Sequence, residues 1–338
     1  MINGKNLLIT GGTGSLGKAI TKYIINKYPK INKLIIFSRD EQKQFRMAQE
    51  FPEDKYPFMR YLIGDVRDLN RLNRAFQGVN YVIHAAAMKH VPIAEFNPNE
   101  CIKTNVNGAR NVIEAALSNK IERIVALSTD KACAPINLYG ATKLTSDKLF
   151  IAANRIKGYN PIKFSVVRYG NVMGSNGSVI PFFINKSKEG VLPITHNEMT
   201  RFNITIEDGV KMVFHALENA WGGEMFIPKI PSYRINDVAE AISPNSKKEI
   251  IGVRPGEKIH EEMITKSDSL NTYDLGTYYV ILPNNLNWNL NEYLEKFNGV
   301  KVPEGFCYNS GENNSWVSVE ELRKLIKSHV DPNFEYDE

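Results

Sequence analysis

Thr10-Gly11-Gly12-Thr13-Gly14-Ser15-Leu16-Gly17 follows the apolar run Leu7 to Ile9 and leads into a helical pattern from Lys18 to Lys27. The stretch therefore supplies G-x-G-x-x-G in the strand-turn-helix setting that gives the pattern its meaning. The glycines permit a tight turn, close backbone approach to a pyrophosphate and tight helix packing, over a helix N-terminus that favours anions. Gly11, Thr13, Gly14, Ser15, Leu16 and Gly17 are accordingly read as contacts to a dinucleotide. Gly12 to Lys18 also spells G-x-x-x-x-G-K, but a phosphate-transferring P-loop needs Ser or Thr next, where this chain has Ala19.

Outward from that loop, short apolar runs recur at Leu34 to Phe37, Tyr61 to Ile63, Tyr81 to Ile83, Ile124 to Leu127 and Phe164 to Val167. Each reads as a buried parallel strand. Helical spacing lies between them, as at Val106 to Asn119, so the fold class is α/β: a Rossmann-like, NAD(P)-binding, doubly wound parallel sheet. After about Arg168 the texture turns to loops rich in Gly, Ser, Asn and Pro. Residues 1–168 are read as the dinucleotide-binding domain and 169–338 as a smaller C-terminal substrate-binding domain, with about 204–228 returning to the first. Thr205 with Asp208, and Ser318 with Glu321, have capping-box spacing and predict helix starts.

The 338 residues suffice for about two domains at roughly 100 to 200 residues each. A content of 43% hydrophobic and 23% charged residues excludes a disordered chain. The net charge is +5, and Asp331, Glu335, Asp337 and Glu338 crowd the end, so the body is more basic still. No block of five or six Lys or Arg marks a nucleic-acid partner. Cys101, Cys133 and Cys307 form no CxxC pair, which predicts reduced thiols and a cytoplasmic protein without a metal site. The apolar stretch before Gly11 is too short for a signal-peptide core and no run of 18 apolar residues occurs, so no membrane partner is expected.

The second apolar run ends Ser38-Arg39-Asp40-Glu41-Gln42-Lys43. An NAD site uses a carboxylate here for the ribose 2′-hydroxyl and an NADP site uses arginine for the 2′-phosphate. Arg39, with Lys43 one turn later and Ser38 beside it, favours NADP, although Asp40 and Glu41 would equally begin a solvated charged helix. Asp65 and Val66 are assigned to the adenine edge, and Ala85, Ala86 and Ala87 to close backbone approach. Lys89 is expected near the cofactor or the substrate.

The run Ile124 to Leu127 opens into Ser128-Thr129-Asp130-Lys131, and Asn137 to Lys143 begins a helix with Tyr139 and Lys143 at i and i+4 on one face. To act as a base near neutrality a tyrosine must come down about three units from its usual 10 or so. An ammonium one turn away favours the phenolate. Y-x-x-x-K alone is common, but downstream of a dinucleotide loop and a strand ending in Ser-Thr it is specific.

With TGGxGxxG and YxxxK in place, the sequence resembles the extended branch of the NAD(P)-dependent short-chain dehydrogenase/reductases. Asp130 and Lys131 add an acid and a base beside the cofactor, which an elimination requires and a plain 4-epimerase does not. Dehydratases that retain configuration at C5 carry Thr-Asp-Glu at this point. The whole stretch Leu127 to Lys143 is similar to the inverting UDP-N-acetylglucosamine 4,6-dehydratases that open pseudaminic acid biosynthesis, a route to flagellin and surface glycans. His84 to Pro92, Arg168 to Ser178, Met199 to Phe202 and Arg254 to Glu261 carry the resemblance along the chain.

That resemblance implies a set of roles. Tyr139 takes the C4 hydroxyl proton as hydride passes to a tightly held NADP, and Lys143 orients the ribose and lowers the Tyr139 pKa. Thr129 bonds the C4 oxygen, Lys131 removes the C5 proton and Asp130 assists loss of water from C6. Asn171, Arg201, Arg254 and Glu257, with Lys89 and Lys131, are the candidate UDP-sugar contacts, arginine suiting a diphosphate through its planar fork. A homo-oligomer built on dimers, up to a hexamer, is implied as well. Ala134 and Asn176 depart from relatives that often carry Asn and Arg there. The rival readings are a 4,6-dehydratase/5-epimerase for capsule sugars, a UDP-sugar 4-epimerase, and an NADP sensor without chemistry. His84 is read as a satisfied core residue, Cys133 as packing, and Trp221, Trp288 and Trp316 as core or interface anchors.

Overall fold

The structure of the protein is a computed structural model in which residues 2–175 and 178–336 are described. Asn176, one of the two departures above, lies outside the described residues. Six parallel strands, β1 (Asn6–Thr10), β2 (Lys33–Ser38), β3 (Met59–Ile63), β4 (Tyr81–His84), β5 (Arg123–Leu127) and β6 (Lys163–Val167), stand in the order 3-2-1-4-5-6. Leu7, Leu8 and Ile9 of β1 and Ile124 and Val125 of β5 are fully buried, as strands covered on both faces require. Helices α1 (Ser15–Lys27), α2 (Glu41–Glu50), α3 (Leu69–Ala75), α4 (Val91–Phe96), α5 (Pro98–Ile102), α6 (Gly108–Ser118) and α7 (Leu138–Ile156) connect and cover them. The order reverses between β1 and β4, and this switch point opens a crevice beyond the strands' C-terminal ends.

The sheet continues past β6. Met225–Pro228 pairs parallel to β6, and Tyr278–Ile281, Thr272–Asp274 and Val300–Lys301 add antiparallel edge strands. Residues 272–301 thus extend the first unit's sheet, although the loop-rich sequence after Arg168 assigns them to the second. Their runs are two to four residues long, too short to announce a sheet partner. A separate apolar core forms around Phe183, Leu192, Tyr233, Val238, Leu322 and Ile326. The small sheet of Asn171–Val172, Thr200–Ile204 and Ser232–Arg234 lies between this core and the crevice.

Local chemistry explains the element boundaries. Asp40 caps α2 by accepting from Lys43 N at 2.9 Å, and Asn137 caps α7 by accepting from Gly140 N at 2.8 Å. The Ser318 box has both halves in place at the final helix, Val319–His329. At Thr205 the hydroxyl accepts from Asp208 N at 3.1 Å and donates to the Asp208 carboxylate at 2.7 Å. The helix expected over Val106 to Asn119 begins differently: Lys103–Asn107 form a π turn that buries Asn105 before α6 starts at Gly108. Such turns cluster at functional sites and leave no periodic trace in sequence.

The dinucleotide loop depends on contact distance. A Cβ on Gly17 would sit 2.1 Å from the Gly12 carbonyl oxygen, so α1 reaches its position only because Gly17 has no side chain. Gly14 leaves the α1 N-terminus without a side-chain cap. By contrast, Gly209 is inside a helix, Ile206–Asn219, with open space where a Cβ would go. Gly17→Ala is expected to destabilise the fold by about 3 kcal/mol through overpacking, and Gly209→Ala to stabilise it by about 0.5–1 kcal/mol through helix propensity. Denaturant unfolding checks both; effects of the same sign would contradict the packing described here.

Candidate active site

The crevice is a cleft of about 1110 Å³, at the upper end of the range for small-molecule sites. Its first end is walled by Gly11, Thr13, Gly14, Ser15, Leu16, Gly17, Ser38, Arg39, Lys43, Asp65, Val66, Ala85, Ala86 and Ala87. Thr13 and Ser38 join the two loops through their hydroxyls at 2.9 Å. Arg39 is exposed, 3.8 Å from the Asp65 carboxylate, and Lys43 lies 3.6 Å from Asp40. Arg67 holds Asp65 more closely, at 2.7 Å. The narrow glycine cradle and the uncapped α1 N-terminus fit the pyrophosphate of a dinucleotide.

At the other end β5 runs out into the turn that holds the candidate catalytic residues. Thr129, Lys131, Tyr139 and Lys143 line the cleft, while Asp130 is fully buried behind it. The Thr129 hydroxyl donates to Asp130 Oδ1 at 2.9 Å, and Lys131 Nζ lies 3.1 Å from the same oxygen. Asp130 Oδ2 has no partner among the described residues. Gly140 lets α7 close on this turn, since a Cβ there would be 2.1 Å from the Lys131 carbonyl oxygen. Burial raises the Asp130 carboxyl above its usual range, against the pull of Lys131.

Tyr139 is buried, and desolvation pushes its hydroxyl up to about 12. Lys131 and a hydrogen bond with Thr129 act in the opposite direction. Lys143 does not sit on Tyr139: its Nζ donates to the Leu127 carbonyl at 2.6 Å, and burial lowers its pKa. The lowering influences on Tyr139 are thus Thr129 and Lys131, not Lys143 as the spacing suggests. Below them Asp147 accepts from Ser128 at 2.6 Å and from Arg168 at 3.3 Å, a buried pair that fixes β5, α7 and β6 together.

The substrate candidates, Lys131 included, come from five segments of the chain. Asn171 accepts from Lys131 Nζ at 3.3 Å, and Lys89 lies in the cleft wall. Arg201 is buried, donates to the carbonyls of Thr200 and Ile259, and reaches Glu257 at 3.3 Å. Arg254 and Glu257 line the cleft on a segment docked onto the catalytic turn, where Asn137 donates to the Gly256 carbonyl at 2.8 Å and Lys258 to the Cys133 carbonyl at 2.7 Å. Ala134, the second departure, adopts a positive φ of 42°, a conformation that Asn tolerates better than Ala.

Two residues here escape a sequence reading. Asn105, in the π turn, accepts from Met88 N at 2.8 Å and donates to Met88 O and to Thr142, clamping the Ala85 to Lys89 loop to α7. Glu261 lies 3.3 Å from Lys131 Nζ, at the end of the Arg254 segment. His84 is core and bonds Thr10 at 2.8 Å; Trp221 and Trp288 are half-buried against the main core and pack edge to face, and Trp316, half-buried and outside both cores, carries the Arg234 guanidinium. Cys133 is buried, its thiol pushed up to about 12 by burial. No helix among the described residues is long and apolar enough to cross a membrane.

A sequence profile of the family described as "Polysaccharide biosynthesis protein" matches residues 7–283. A protein of Campylobacter jejuni subsp. jejuni serotype O:2, named UDP-N-acetylglucosamine 4,6-dehydratase (inverting), is 56% identical over 334 residues, covering 96% of this chain and 98% of the relative. A UDP-glucose 4-epimerase of Rickettsia canadensis is 41% identical over 329 residues, with 95% of each chain covered. Among solved structures, Pen from Bacillus thuringiensis superposes with a TM-score of 0.87 at 39% identity, covering 97% of this chain and 98% of that one.

His84 gives the site a measurable acid sensitivity. Burial, with Lys143 nearby, lowers its pKa from 6.5 to about 3. Between these values the unfolded chain binds a proton that the folded chain refuses. The stability that neutral His84 contributes is therefore complete above about pH 6.5 and is lost as pH falls toward 3, by up to about 1.4 kcal/mol per unit. Urea unfolding of the wild type and His84→Gln at several pH values is expected to show a shallower acid decline in the variant; equal slopes would contradict this assignment.

Proposed function

The chain belongs to the polysaccharide biosynthesis protein family, extended short-chain dehydrogenase/reductases that work with a nicotinamide dinucleotide, and on that premise we propose that it is an inverting UDP-N-acetylglucosamine 4,6-dehydratase. The near full-length relative that carries this name supports the reading. The observation that carries it is the contact of Lys131 with the buried Asp130 at 3.1 Å, beside Tyr139 in one cleft. We assign NADP as the dinucleotide because Arg39 and Lys43 offer two cations beyond β2.

When bound, the dinucleotide accepts hydride from sugar C4 and returns it at C6. Tyr139 takes the C4 hydroxyl proton, and Thr129 holds the C4 oxygen. The resulting ketone makes the C5 proton acidic. The one proton shared by Asp130 and Lys131 has two seats. Burial disfavours the Lys131 charge, but Asp130 and Glu261 outweigh it and hold the resting amine protonated, while burial also raises the Asp130 carboxyl. When the proton moves to Asp130, the amine is neutral and takes the C5 proton. Asp130 then gives its proton to the departing C6 hydroxyl, so water leaves with no charge stranded in the cleft. Protonation of C5 from the opposite face, balanced by return of the Tyr139 proton by way of solvent and of the Lys131 proton to Asp130, inverts that centre and yields the 4-keto-6-deoxy L-arabino sugar. Arg201 and Arg254 face the diphosphate, with Glu257 at a ribose hydroxyl.

The Rickettsia relatives favour a second reading, a 4-epimerase. An epimerase returns hydride to C4 and has no use for the Asp130 and Lys131 pair. Proton NMR of the protein with UDP-N-acetylglucosamine in deuterated water separates the two. Loss of the C6 hydroxymethyl signal, a new methyl group and deuterium at an inverted C5 are the expected result, and Lys131→Met or Tyr139→Phe is expected to slow it by about 10²–10⁴-fold. An intact C6 with inversion at C4 would establish the epimerase.

A further inference from the structure

The cleft wall contains a carboxylate to which the reaction above gives no part. Glu261 is 2% exposed, with Oε1 3.3 Å from Lys131 Nζ and 3.9 Å from Arg201 Nε. Its other oxygen, Oε2, is buried without a hydrogen-bond partner among the described residues. The backbone is pinned on both sides, since Glu261 N donates to Ser310 Oγ at 2.9 Å and Ser310 N donates to the Glu261 carbonyl at 2.8 Å. A carboxylate so buried stays ionised only when paired. Burial opposes the charge, but Lys131, then Arg201 and Lys258, hold the Glu261 pKa below its usual value.

Lys131 is faced from every element packed on it. Asp130 comes from its own turn, Glu261 from the segment after Arg254, Arg201 from Thr200–Ile204, Tyr139 from α7 and Tyr233 from Ser232–Arg234. Asn171 accepts a hydrogen bond from the amine at 3.3 Å. We propose that Glu261 is a positioning residue that fixes the Lys131 amine beside Asp130 and compensates the charge the amine gains when it takes the C5 proton. The inference rests on the dehydratase reading and extends it.

The proton inventory closes. Before the step Asp130 is protonated, Lys131 neutral and Glu261 ionised. The C5–H bond breaks, its proton passing to the Lys131 lone pair and its electrons through the enolate into a C5–C6 double bond, as the C6–O bond breaks and its oxygen takes the Asp130 proton and leaves as water. Afterwards the ammonium stands between two carboxylates, and the net charge of the three groups is unchanged. Removing the Glu261 charge makes Lys131 both easier to deprotonate and weaker as a base.

The test isolates that step. Release of deuterium to solvent from UDP-N-acetylglucosamine labelled at C5, the bond that Lys131 breaks, is followed against pH with wild type, Glu261→Gln and Glu261→Asp, and the primary isotope effect on that release marks the step. Glu261→Gln is expected to move the acid limb of the release profile down by about 1–3 pH units, with a plateau at least about tenfold lower. Glu261→Asp is expected to shift it the same way by less, and decides alone if Glu261→Gln does not fold. A residue that merely packs would lower the plateau and leave the limb in place, which overturns the inference while the dehydratase reading stands. A wild type that forms no 4-keto sugar overturns that reading and the inference together.

Discussion

Lys131 stands 3.1 Å from Asp130 and 3.3 Å from Glu261, with both carboxylates out of contact with solvent. One buried carboxylate without a cation would protonate or draw in water, and two side by side would repel. The lysine makes the pair tolerable, and the arrangement constrains the chain widely. Asp130 belongs to the turn after β5, and Glu261 to a segment that runs into Met263 and Ile264 of the main core and is held by Ser310, Arg201 and Lys258. A charge network of this kind is poor evidence for stability and better evidence for geometry, because it is satisfied only when the turn and the segment close to within hydrogen-bond distance. The cleft is where they meet.

Within the main sheet the arrangement repeats on a smaller scale. Asp147 and Arg168 are a buried pair that Ser128 completes. Their three elements, α7, β6 and the end of β5, bring Tyr139, Lys143 and the catalytic turn into one frame. Asn105 then fixes the loop after β4 to α7 from outside the sheet. Each device joins a side chain to a neighbouring strand end, where a parallel sheet leaves its loops unpaired, so precision at the site is achieved by polar contacts beneath an apolar scaffold.

This division explains what could be read from the sequence. Strands β1 to β6 are legible because doubly covered strands are continuous apolar runs, and the glycine loop is legible because glycine alone permits the contact at Gly17. Tyr139 and Lys143 share a helix face by spacing, and Thr129, Asp130 and Lys131 are contiguous. Glu261 is not legible: it reaches Lys131 through docking contacts to the backbone carbonyls of Cys133 and Gly256, and a carbonyl acceptor is the same at every residue. The π turn at Lys103–Asn107 hides for a related reason, since it changes the hydrogen-bond pattern and not the composition. The strands at 272–281 are not legible either, because three or four residues carry too little pattern to reveal a return to the sheet.

The geometry also orders the proposed chemistry. Tyr139 must lose its proton for C4 to be oxidised, and burial works strongly against the phenolate. The groups that act for it are Thr129 and the Lys131 ammonium, because Lys143 is held on the Leu127 carbonyl. C5, however, needs Lys131 neutral. One lysine therefore serves two steps in opposite protonation states, and they cannot coincide. Oxidation at C4 is favoured while the proton rests on Lys131; its passage across 3.1 Å to Asp130 then withdraws support from the phenolate as it creates the base for C5 and the acid for C6. Glu261 biases that shared proton toward Lys131, so it favours the first step and strengthens the base once the second begins.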